Sequence, residues 1–383
     1  MDVLANFLIY VVPFMLILSI VVFFHEYGHF IVGRLCGVKV DAFSIGFGPE
    51  LWARDDRQGT RWRIAAIPLG GYVKFHGDAN GASVPDAASV EAMPESERAV
   101  TFAAQNVWKR SAIVFAGPAF NFVLAILLYW GMFAYYGRTV LVPKIAGVVA
   151  GSAGDKAGFK AGDLVLSIDG APIDSFQKMQ EIVSMSAEKA LHFVVRRNGQ
   201  PLAFDATPAW REVDSPVGKA RIGRLELHAS NEPGDIHEES YGIVGSLGMA
   251  FGETGAVVER TYNYLGGLIT GRENADQLSG PIGIAQVSGE MAQAVSKVGL
   301  WPVLNLIAIL SISIGLLNLM PVPLLDGGHL LFFSIEALRG KALAERTQEF
   351  AFRVGLAMVC SLMVFSTYND IARIVRKMAS GGS

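Results

Sequence analysis

Long apolar stretches separated by polar segments dominate this chain. A bilayer is crossed by a helix of about 20 apolar residues. Stretches of that kind occupy roughly residues 5–33, 112–135, 300–320 and 351–372. The pattern predicts a polytopic α-helical membrane protein with about four transmembrane helices. The first stretch lacks a basic segment and a small-residue cleavage site before residue 25, so we expect a retained span rather than a signal peptide.

The composition agrees with this prediction. Only 17% of the residues are charged, against about a quarter in average soluble domains, and 51% are hydrophobic, with a mean hydropathy of +0.37. The net charge of −3 gives no reason to expect a nucleic-acid partner. Cys36 and Cys360 lie far apart in apolar stretches and indicate no disulfide scaffold.

Basic residues predict the orientation of the spans. Lysines and arginines cluster between the first and second spans and recur between the third and fourth, at Arg339, Lys341 and Arg346. Short loops rich in such residues stay in the cytoplasm. We therefore expect both loops inside, and the termini and residues 137–298 outside. The basic tail, with Arg373 and Arg376, argues weakly against this orientation.

A β-rich module is predicted between the second and third spans. Residues 142–208 alternate short β-like runs with turn signals, Asp169-Gly170 and Asn198-Gly199, and include one helical pattern, Ser175–Ser186. The β-like runs are Lys144–Val149, Leu164–Ile168, Leu191–Arg196 and Leu202–Ala206. Residues 209–240 are polar and carry no clear pattern. Residues 241–298 are amphipathic and too interrupted to span, so we expect 209–298 to be a linker and a membrane-surface region.

The candidate chemistry lies in His25-Glu26-Tyr27-Gly28-His29. Two histidines at positions i and i+4 point from one face of a helix and can hold one zinc ion, while Glu26 lies beside it as a general base. The alternative is a pair of structural histidines with a solvated glutamate. The motif lies inside an apolar run, where ionisable groups are costly unless they are paired or bind a ligand, and this favours zinc.

A catalytic zinc normally takes three protein ligands and leaves one position for water. The acidic residues next in sequence, Asp41 and Glu50, fall in the following loop. The other candidate, Asp326, follows two prolines at the end of the third span, where broken helix geometry requires protein or a water cavity around it. By spacing alone Asp326 is equally well explained as the N-cap of a following helix.

The chain resembles the site-2 protease family, and within it the bacterial regulator-of-sigma-E protease group. The resemblance rests on the histidine motif in the first span, on the third-span motif from Asn318 to Gly328, and on the module, whose Ala157–Asp163 run resembles a PDZ domain. Further matches are Ile45–Pro49, Ile67–Lys74, Gly117–Phe122 and Leu278–Gly283. Members of this group often carry two PDZ domains in tandem, whereas this chain shows signals for one.

The resemblance implies that His25, His29 and Asp326 bind zinc, that Glu26 is the base, and that Asn318 contacts the scissile peptide or its developing oxyanion. It also implies a β-hairpin over residues 40–76 that dips into the membrane. A strand of this hairpin would pair with an unwound substrate through Arg61, Trp62, Arg63, Gly70, Gly71, Tyr72, Val73 and Lys74. For Asn121 a helix-to-helix hydrogen bond is an alternative to a part in catalysis.

The resulting prediction is an intramembrane zinc metalloprotease of a bacterial inner membrane, with its PDZ-like domain outside and its active site towards the cytoplasm. Its expected substrate is a pre-trimmed single-span protein such as an anti-sigma factor, or a remnant signal peptide. The alternative is a membrane-anchored PDZ adaptor with a vestigial or structural metal site. The predicted segments are spans at 1–36, 111–136, 299–330 and 350–376, a loop with the hairpin at 37–110, the module at 142–208 and the linker region at 209–298.

Overall fold

The computed structural model describes residues 2–78, 93–215, 218–240, 242–270 and 279–379. Parts of the predicted first loop and of the predicted linker region, 79–92 and 271–278, lie outside these residues. The chain forms two compact units. The helical unit contains residues 1–131, 247–265 and 279–383, and the β-rich unit contains residues 132–246 and 266–278.

Helices account for most of the helical unit. Four of the described helices are long and apolar enough to cross a membrane, over Phe7–Leu35, Val107–Tyr136, Trp301–Leu319 and Arg346–Arg376. They correspond to the four predicted spans, and the polytopic fold class is confirmed. In chain order the helices of both units are α1 (Asp2–Leu35), α2 (Glu95–Arg98), α3 (Val107–Tyr136), α4 (Ala153–Ala157), α5 (Phe176–Met185), α6 (Ile243–Ile269), α7 (Pro281–Val298), α8 (Trp301–Leu319), α9 (Asp326–Arg339) and α10 (Glu345–Ala379).

The third predicted span contains a break. Helix α8 ends at Leu319, and α9 begins seven residues later, at Asp326. Pro321 and Pro323 have no backbone N–H, so they cannot continue the helical hydrogen bonding. The connecting segment also contains Leu324 at φ +106°, a left-handed conformation. The predicted segment 299–330 is therefore a spanning helix, a sharp turn and the first turn of a second helix.

A bent β-hairpin follows α1 in the first loop. Its strands are β1 (Val40–Asp55) and β2 (Arg61–Phe75). Ala42–Ile45 lie opposite both Arg61–Ile64 and Gly71–Lys74, while Trp52–Asp55 lie opposite Arg61–Ile64 from the other side. Both strands fold back on themselves. Gly46 and Gly70 have φ angles of +88° and +151°, which residues other than glycine rarely adopt.

The segment between the β-rich unit and α8 is mostly helical. Helices α6 and α7 fall in the region predicted to be amphipathic, and neither is among the four helices that could span a membrane. Helix α7 packs closely against α1, since a side chain at Gly289 would overlap Tyr10. The start of α7 is bonded to α10, because Asp370 accepts hydrogen bonds from the N–H groups of Gly280 and Gly283 at 3.2 and 2.8 Å.

The β-rich unit is built on a four-stranded sheet. The sheet has the order β6 (Ala171–Pro172), β5 (Leu164–Ile168), β7 (Leu191–Arg197) and β8 (Gln200–Ala206). Helices α4 and α5 begin after Ser152 and Ser175, whose side chains cap them. Residues at the predicted turns, Asp169-Gly170 and Asn198-Gly199, have the positive φ angles of tight hairpin turns. The strands of this unit are β3 (Arg138–Leu141), β4 (Ile145–Val148), β5 (Leu164–Ile168), β6 (Ala171–Pro172), β7 (Leu191–Arg197), β8 (Gln200–Ala206), β9 (Ala209–Ser215), β10 (Gly218–Arg224), β11 (Leu227–Ala229) and β12 (Ile236–Glu239).

The prediction that residues 209–240 form a linker is wrong. Strands β9 and β10 pair with each other, β11 pairs with β4, and β12 pairs with β3. Leu225 is buried in the same core as Ile145, Phe159 and Phe193. These strands are short and largely polar, so they lack the strict alternation by which half-buried strands are recognised. The β-rich module therefore extends past residue 208 to Glu239.

Candidate metal centre

Two imidazoles come together on the C-terminal half of α1. His25 and His29 lie one helical turn apart, and their Nε2 atoms are 3.3 Å from each other. The side chains are 11% and 12% exposed, within a unit whose neighbouring surfaces are apolar. Spacing of i and i+4 puts both rings on one face of the helix. The two nitrogens are therefore placed to share one ion.

Asp326 joins the two histidines from α9. Its Oδ2 atom lies 3.2 Å from His25 Nε2 and 3.5 Å from His29 Nε2. This oxygen is buried and forms no well-aligned hydrogen bond to any donor of the described residues. The N-cap of α9 is Leu325, and no side chain caps the helix. The alternative of Asp326 as an N-cap therefore fails, and its carboxylate points to the imidazoles instead.

The three atoms have the spacing that a tetrahedral zinc site requires. Zinc bonds of about 2.0–2.1 Å to nitrogen and oxygen, at tetrahedral angles, put the ligand atoms about 3.3 Å apart. The three separations here are 3.2, 3.3 and 3.5 Å. In the described part of the chain this is the single cluster of three or more such side chains able to hold a metal. The donor set, two imidazoles and one carboxylate, suits zinc.

Helix α3 orients both imidazoles through their Nδ1 atoms, on the side of each ring away from the cluster. The backbone carbonyl of Ile113 lies 2.9 Å from His29 Nδ1, and the side-chain amide of Asn121 lies 3.2 Å from His25 Nδ1. Close helix contact makes this possible, since a side chain at Gly28 would overlap the backbone at Ala116. A side chain at Gly117 would overlap the His29 ring. The sequence suggested no role for Ile113 or Gly117, because one acts through its main chain and the other by having no side chain.

Glu26 lies beside the cluster and against strand β2. Its carboxylate accepts a hydrogen bond from the backbone of Val73, and Asp326 is close enough to interact with it electrostatically. A side chain at Gly71 would come within 3.2 Å of Glu26 Cγ and within 2.9 Å of Val22. Glycine at position 71 therefore lets the strand pass next to the proposed base.

The predicted substrate-binding residues fall into two groups. Gly71, Tyr72, Val73 and Lys74 have backbone partners on one side only in the described chain, namely β1, and Gly70 is the bend before them. This segment is a sheet edge, and its Val73 end lies against Glu26. The structure thus brings Gly70–Lys74 to the candidate metal centre.

Arg61, Trp62 and Arg63 form no such edge, because β1 residues pair with them on both sides. Their side chains are also engaged within the hairpin. Arg61 and Arg63 form ion pairs with Glu50 at 2.6 and 3.1 Å, and Arg63 donates to the Tyr72 hydroxyl. The prediction that these three residues offer a free strand to a substrate is therefore wrong. The sequence could not reveal this, since the back-folding of β1 depends on long-range pairing.

Asn318 is half-buried in the last turn of α8. Among the described residues it forms no hydrogen bond to His25, His29 or Asp326. The position is eight residues before Asp326, across the proline-containing turn. A contact of Asn318 with substrate stays a prediction.

Helix α9 is tied to α3 at the end away from Asp326. Arg110 forms an ion pair with Glu336, and its guanidinium stacks over the Phe333 ring at 4.9 Å. Arg110 and Glu336 are 15% and 19% exposed, so the pair is well shielded from solvent. Because Arg110 is in the first turn of α3, this contact fixes α9 relative to the helix that orients both histidines.

The helical unit combines helices able to span a membrane with a cluster that has the spacing of a zinc site. This combination is typical of membrane zinc metalloproteases. Residues 13–362 match the profile of Peptidase family M50. The chain belongs to this family, the site-2 protease family, and it is a zinc metalloendopeptidase.

Relatives match nearly the whole chain. A protein of Agrobacterium fabrum is 46% identical over 367 residues, which is 96% of each chain, and a protein of Rhizobium meliloti is 46% identical over 97% of this chain and 99% of its own. The names of both include the words zinc metalloprotease. Metalloprotease MmpA of Caulobacter vibrioides is 38% identical over 96% of each chain. A solved PDZ domain from Listeria monocytogenes matches 23% of this chain and 87% of its own at 13% identity, with a TM-score of 0.19, a likeness too low to carry an argument.

Proposed function

We propose that this protein hydrolyses a peptide bond inside a transmembrane segment of its substrate. The observation that carries the proposal is the location of the three-residue cluster. His25 and His29 lie on a helix that is apolar enough to cross a membrane, and Asp326 meets them from the helix that follows a second such span. Buried ionisable groups in this setting are costly unless they have a function.

The residues divide the chemistry among them. His25, His29 and Asp326 would hold a zinc ion, which would supply a Lewis acid and lower the pKa of a water molecule towards about 7. The Glu26 carboxylate accepts a proton from the attacking water and passes it to the nitrogen of the leaving amine. Asn318, at the end of α8, stabilises the developing negative charge on the scissile carbonyl oxygen through its side-chain amide.

The edge formed by Gly70–Lys74 would hold the substrate. A helical substrate has no free backbone groups, so a segment must unwind before it can be cut. Groups released by unwinding are costly in a bilayer unless they find new partners. Adding the unwound segment to a sheet edge supplies those partners. Since the Val73 end of this edge contacts Glu26, a strand added here would pass close to the base.

The proposed substrate is a single-span protein that another protease has already shortened, such as an anti-sigma factor, or a remnant signal peptide. The setting is the inner membrane of a bacterium. The basic residues of the two loops support an orientation with the metal centre towards the cytoplasm and the PDZ-like module on the outer side. The module would bind an extended peptide along an edge of its sheet.

Glu26→Gln tests the proposal. We expect this variant to retain one zinc per chain, because the three ligands are untouched, and to lose cleavage of a model single-span substrate. The measurements are zinc content of the purified protein and cleavage in detergent or in vesicles. Glu349→Gln, the same change at an exposed position of α10, is the matched control and should cleave normally. Cleavage by the Glu26→Gln variant would contradict the mechanism.

The adaptor alternative makes a different prediction in the same experiment. A membrane-anchored PDZ adaptor with a vestigial site needs no stoichiometric zinc and cleaves nothing. Purified wild-type protein without zinc and without activity would therefore favour that alternative. Cells carrying Glu26→Gln provide a second measurement, since single-span fragments should accumulate in them if the protein is a protease.

A further inference from the structure

Asn121 is the most completely buried polar side chain next to the cluster. It lies in the middle of α3 with no exposed surface, and its Nδ2 atom is 3.2 Å from His25 Nδ1. Its Oδ1 atom is buried without a hydrogen-bond partner. A buried amide oxygen without a partner costs about 1–3 kcal/mol. Such an atom in the structure therefore calls for an explanation.

The chemistry of His25 supplies one. If Nε2 of a neutral histidine holds a metal, Nδ1 carries the proton and must donate a hydrogen bond. A half-turn of the Asn121 amide exchanges Oδ1 and Nδ2, which have nearly the same shape. In that orientation Oδ1 accepts the proton of His25 Nδ1. This rotation gives the amide oxygen a donor and leaves Nε2 of His25 free for the ion, while the amide nitrogen takes the buried position that the oxygen occupied.

His29 offers an internal comparison. Its Nδ1 atom faces the backbone carbonyl of Ile113 at 2.9 Å, and a carbonyl can only accept. The proton of His29 is therefore on Nδ1, and its Nε2 is free. Ile113 and Asn121 are eight residues apart on α3, and His25 and His29 are four apart on α1. The same helix thus gives each histidine an acceptor.

The alternative role of Asn121 as a link between helices does not need its side chain. The contact with α8 runs from the Ser311 hydroxyl to the backbone carbonyl of Asn121, at 2.8 Å. Any residue at position 121 would keep this carbonyl. The side-chain amide is therefore available for His25, and the two roles can be separated by mutation.

We propose that Asn121 is a positioning residue for the metal centre, whose amide oxygen holds His25 in the tautomer that binds zinc through Nε2. This inference rests on the proposed centre of His25, His29 and Asp326. It assigns to Asn121 no contact with the substrate or with the ion. Its effect should therefore appear in metal affinity before any measurement of cleavage.

The experiment compares zinc affinity across variants of the full-length protein in detergent, by competition with a chelator. Asn121→Leu, similar in size but without an acceptor, should weaken zinc binding about 10–100-fold. Asn121→Asp keeps an acceptor oxygen and should bind zinc at least as tightly as wild type. Ser311→Ala removes the link to α8 and should leave the affinity unchanged. In the cobalt-substituted protein, Asn121→Leu should alter the visible spectrum and Ser311→Ala should not.

Several outcomes would overturn the proposal. Unchanged zinc affinity in Asn121→Leu is one, and an equal loss in Ser311→Ala is another. If Asn121→Leu does not fold, Asn121→Asp decides, since a more than tenfold loss there contradicts an acceptor role and retained zinc supports it. Wild-type protein without stoichiometric zinc would instead contradict the proposed centre itself, so the two failures can be distinguished.

Discussion

Each unit contains an aspartate with a buried carboxylate oxygen, Asp163 and Asp326, and the two have opposite surroundings. In the β-rich unit, Asp163 is fully buried and both its oxygens accept hydrogen bonds from Arg197 at 2.7 Å. One of them also accepts from the backbone N–H of Lys160 at 2.8 Å. In the helical unit, the Oδ2 atom of Asp326 faces the Nε2 atoms of His25 and His29 and has no aligned donor among the described residues.

The difference separates a structural carboxylate from one that is available to an ion. Arg197 supplies Asp163 with a full charge and a planar pair of donors, so the chain itself satisfies the buried group. Neutral imidazoles cannot do this for Asp326, because nitrogens that bind a metal carry no proton. Burial alone would therefore have been a poor guide to the metal centre. The informative feature is a buried carboxylate whose charge no protein group balances.

The largest expected effect is the loss of Asp326. Asp326→Ala should abolish zinc retention and cleavage together, because two imidazoles alone do not complete a catalytic zinc site. The loss in zinc affinity should exceed the roughly 10–100-fold expected when a residue that only hydrogen-bonds to a metal ligand is removed. Zinc content and helical circular dichroism of the purified variant check this. A variant that keeps one tightly bound zinc would show that Asp326 and Asp163 do not differ in the way described.

Next in size is the loss of the partner of Asp163. Arg197→Ala should lower the free energy of unfolding of the β-rich unit by about 3 kcal/mol, since it leaves a buried charge unpaired. Protease resistance of the full chain in urea measures this. Zinc content should not change. Arg197→Ala combined with Asp163→Asn should recover part of the loss, and no recovery would mean that the charge is not its cause.

A smaller effect is expected at the contact between α1 and α3. Gly117→Ala puts a methyl group where the His29 ring lies, so the ring must move and zinc affinity should fall about tenfold, as for an overpacked site. Gly131→Ala on the same helix is the matched control, because a methyl group there meets nothing within 4 Å. Chelator competition distinguishes the two. Equal affinities in both variants would show that the ring has room to adjust.

The smallest effect concerns a half-buried ion pair of the β-rich unit, between Lys144 and Asp235. The ammonium of Lys144, with the Ser230 hydroxyl, lowers the pKa of Asp235 below its usual value of 3.8. A lowered carboxyl pKa stabilises the fold above the usual value, and this contribution disappears as the pH falls through the lowered one. Between about pH 7 and about pH 2, the midpoint temperature of thermal unfolding should therefore change less in Lys144→Ala than in wild type. Lys178→Ala, whose partner Asp174 is 4.0 Å away, should behave as wild type.

Local patterns of the sequence were sufficient for much of this molecule. The four spans follow from hydropathy, and the convergence of His25 and His29 follows from helical spacing. Strand β5 occupies Leu164–Ile168, the same residues as the predicted β-like run, and its Val165 and Ile168 lie in the core. Each of these features depends on residues that are close to one another in the sequence.

Features that depend on distant partners were not predictable in this way. Spacing left Asp326 undecided between ligand and cap, since its position relative to His25 depends on how α9 packs. The division of β2 into an edge and an interior half follows from bends at Gly46 and Gly70, which bring β1 between the two halves. The strands after residue 208 are polar, and only their pairing identifies them: β9 with β10, β11 with β4, and β12 with β3.

The long separation between His29 and Asp326 also has a consequence for biosynthesis. The two residues are 297 positions apart (326 minus 29). At roughly 5–20 residues per second, a ribosome needs about 15–60 s to travel from one to the other. A centre that requires Asp326 cannot assemble during this interval, although α1 is already made. If the proposed centre is correct, a nascent chain therefore has no proteolytic activity until Asp326, beyond the third span, has been synthesised.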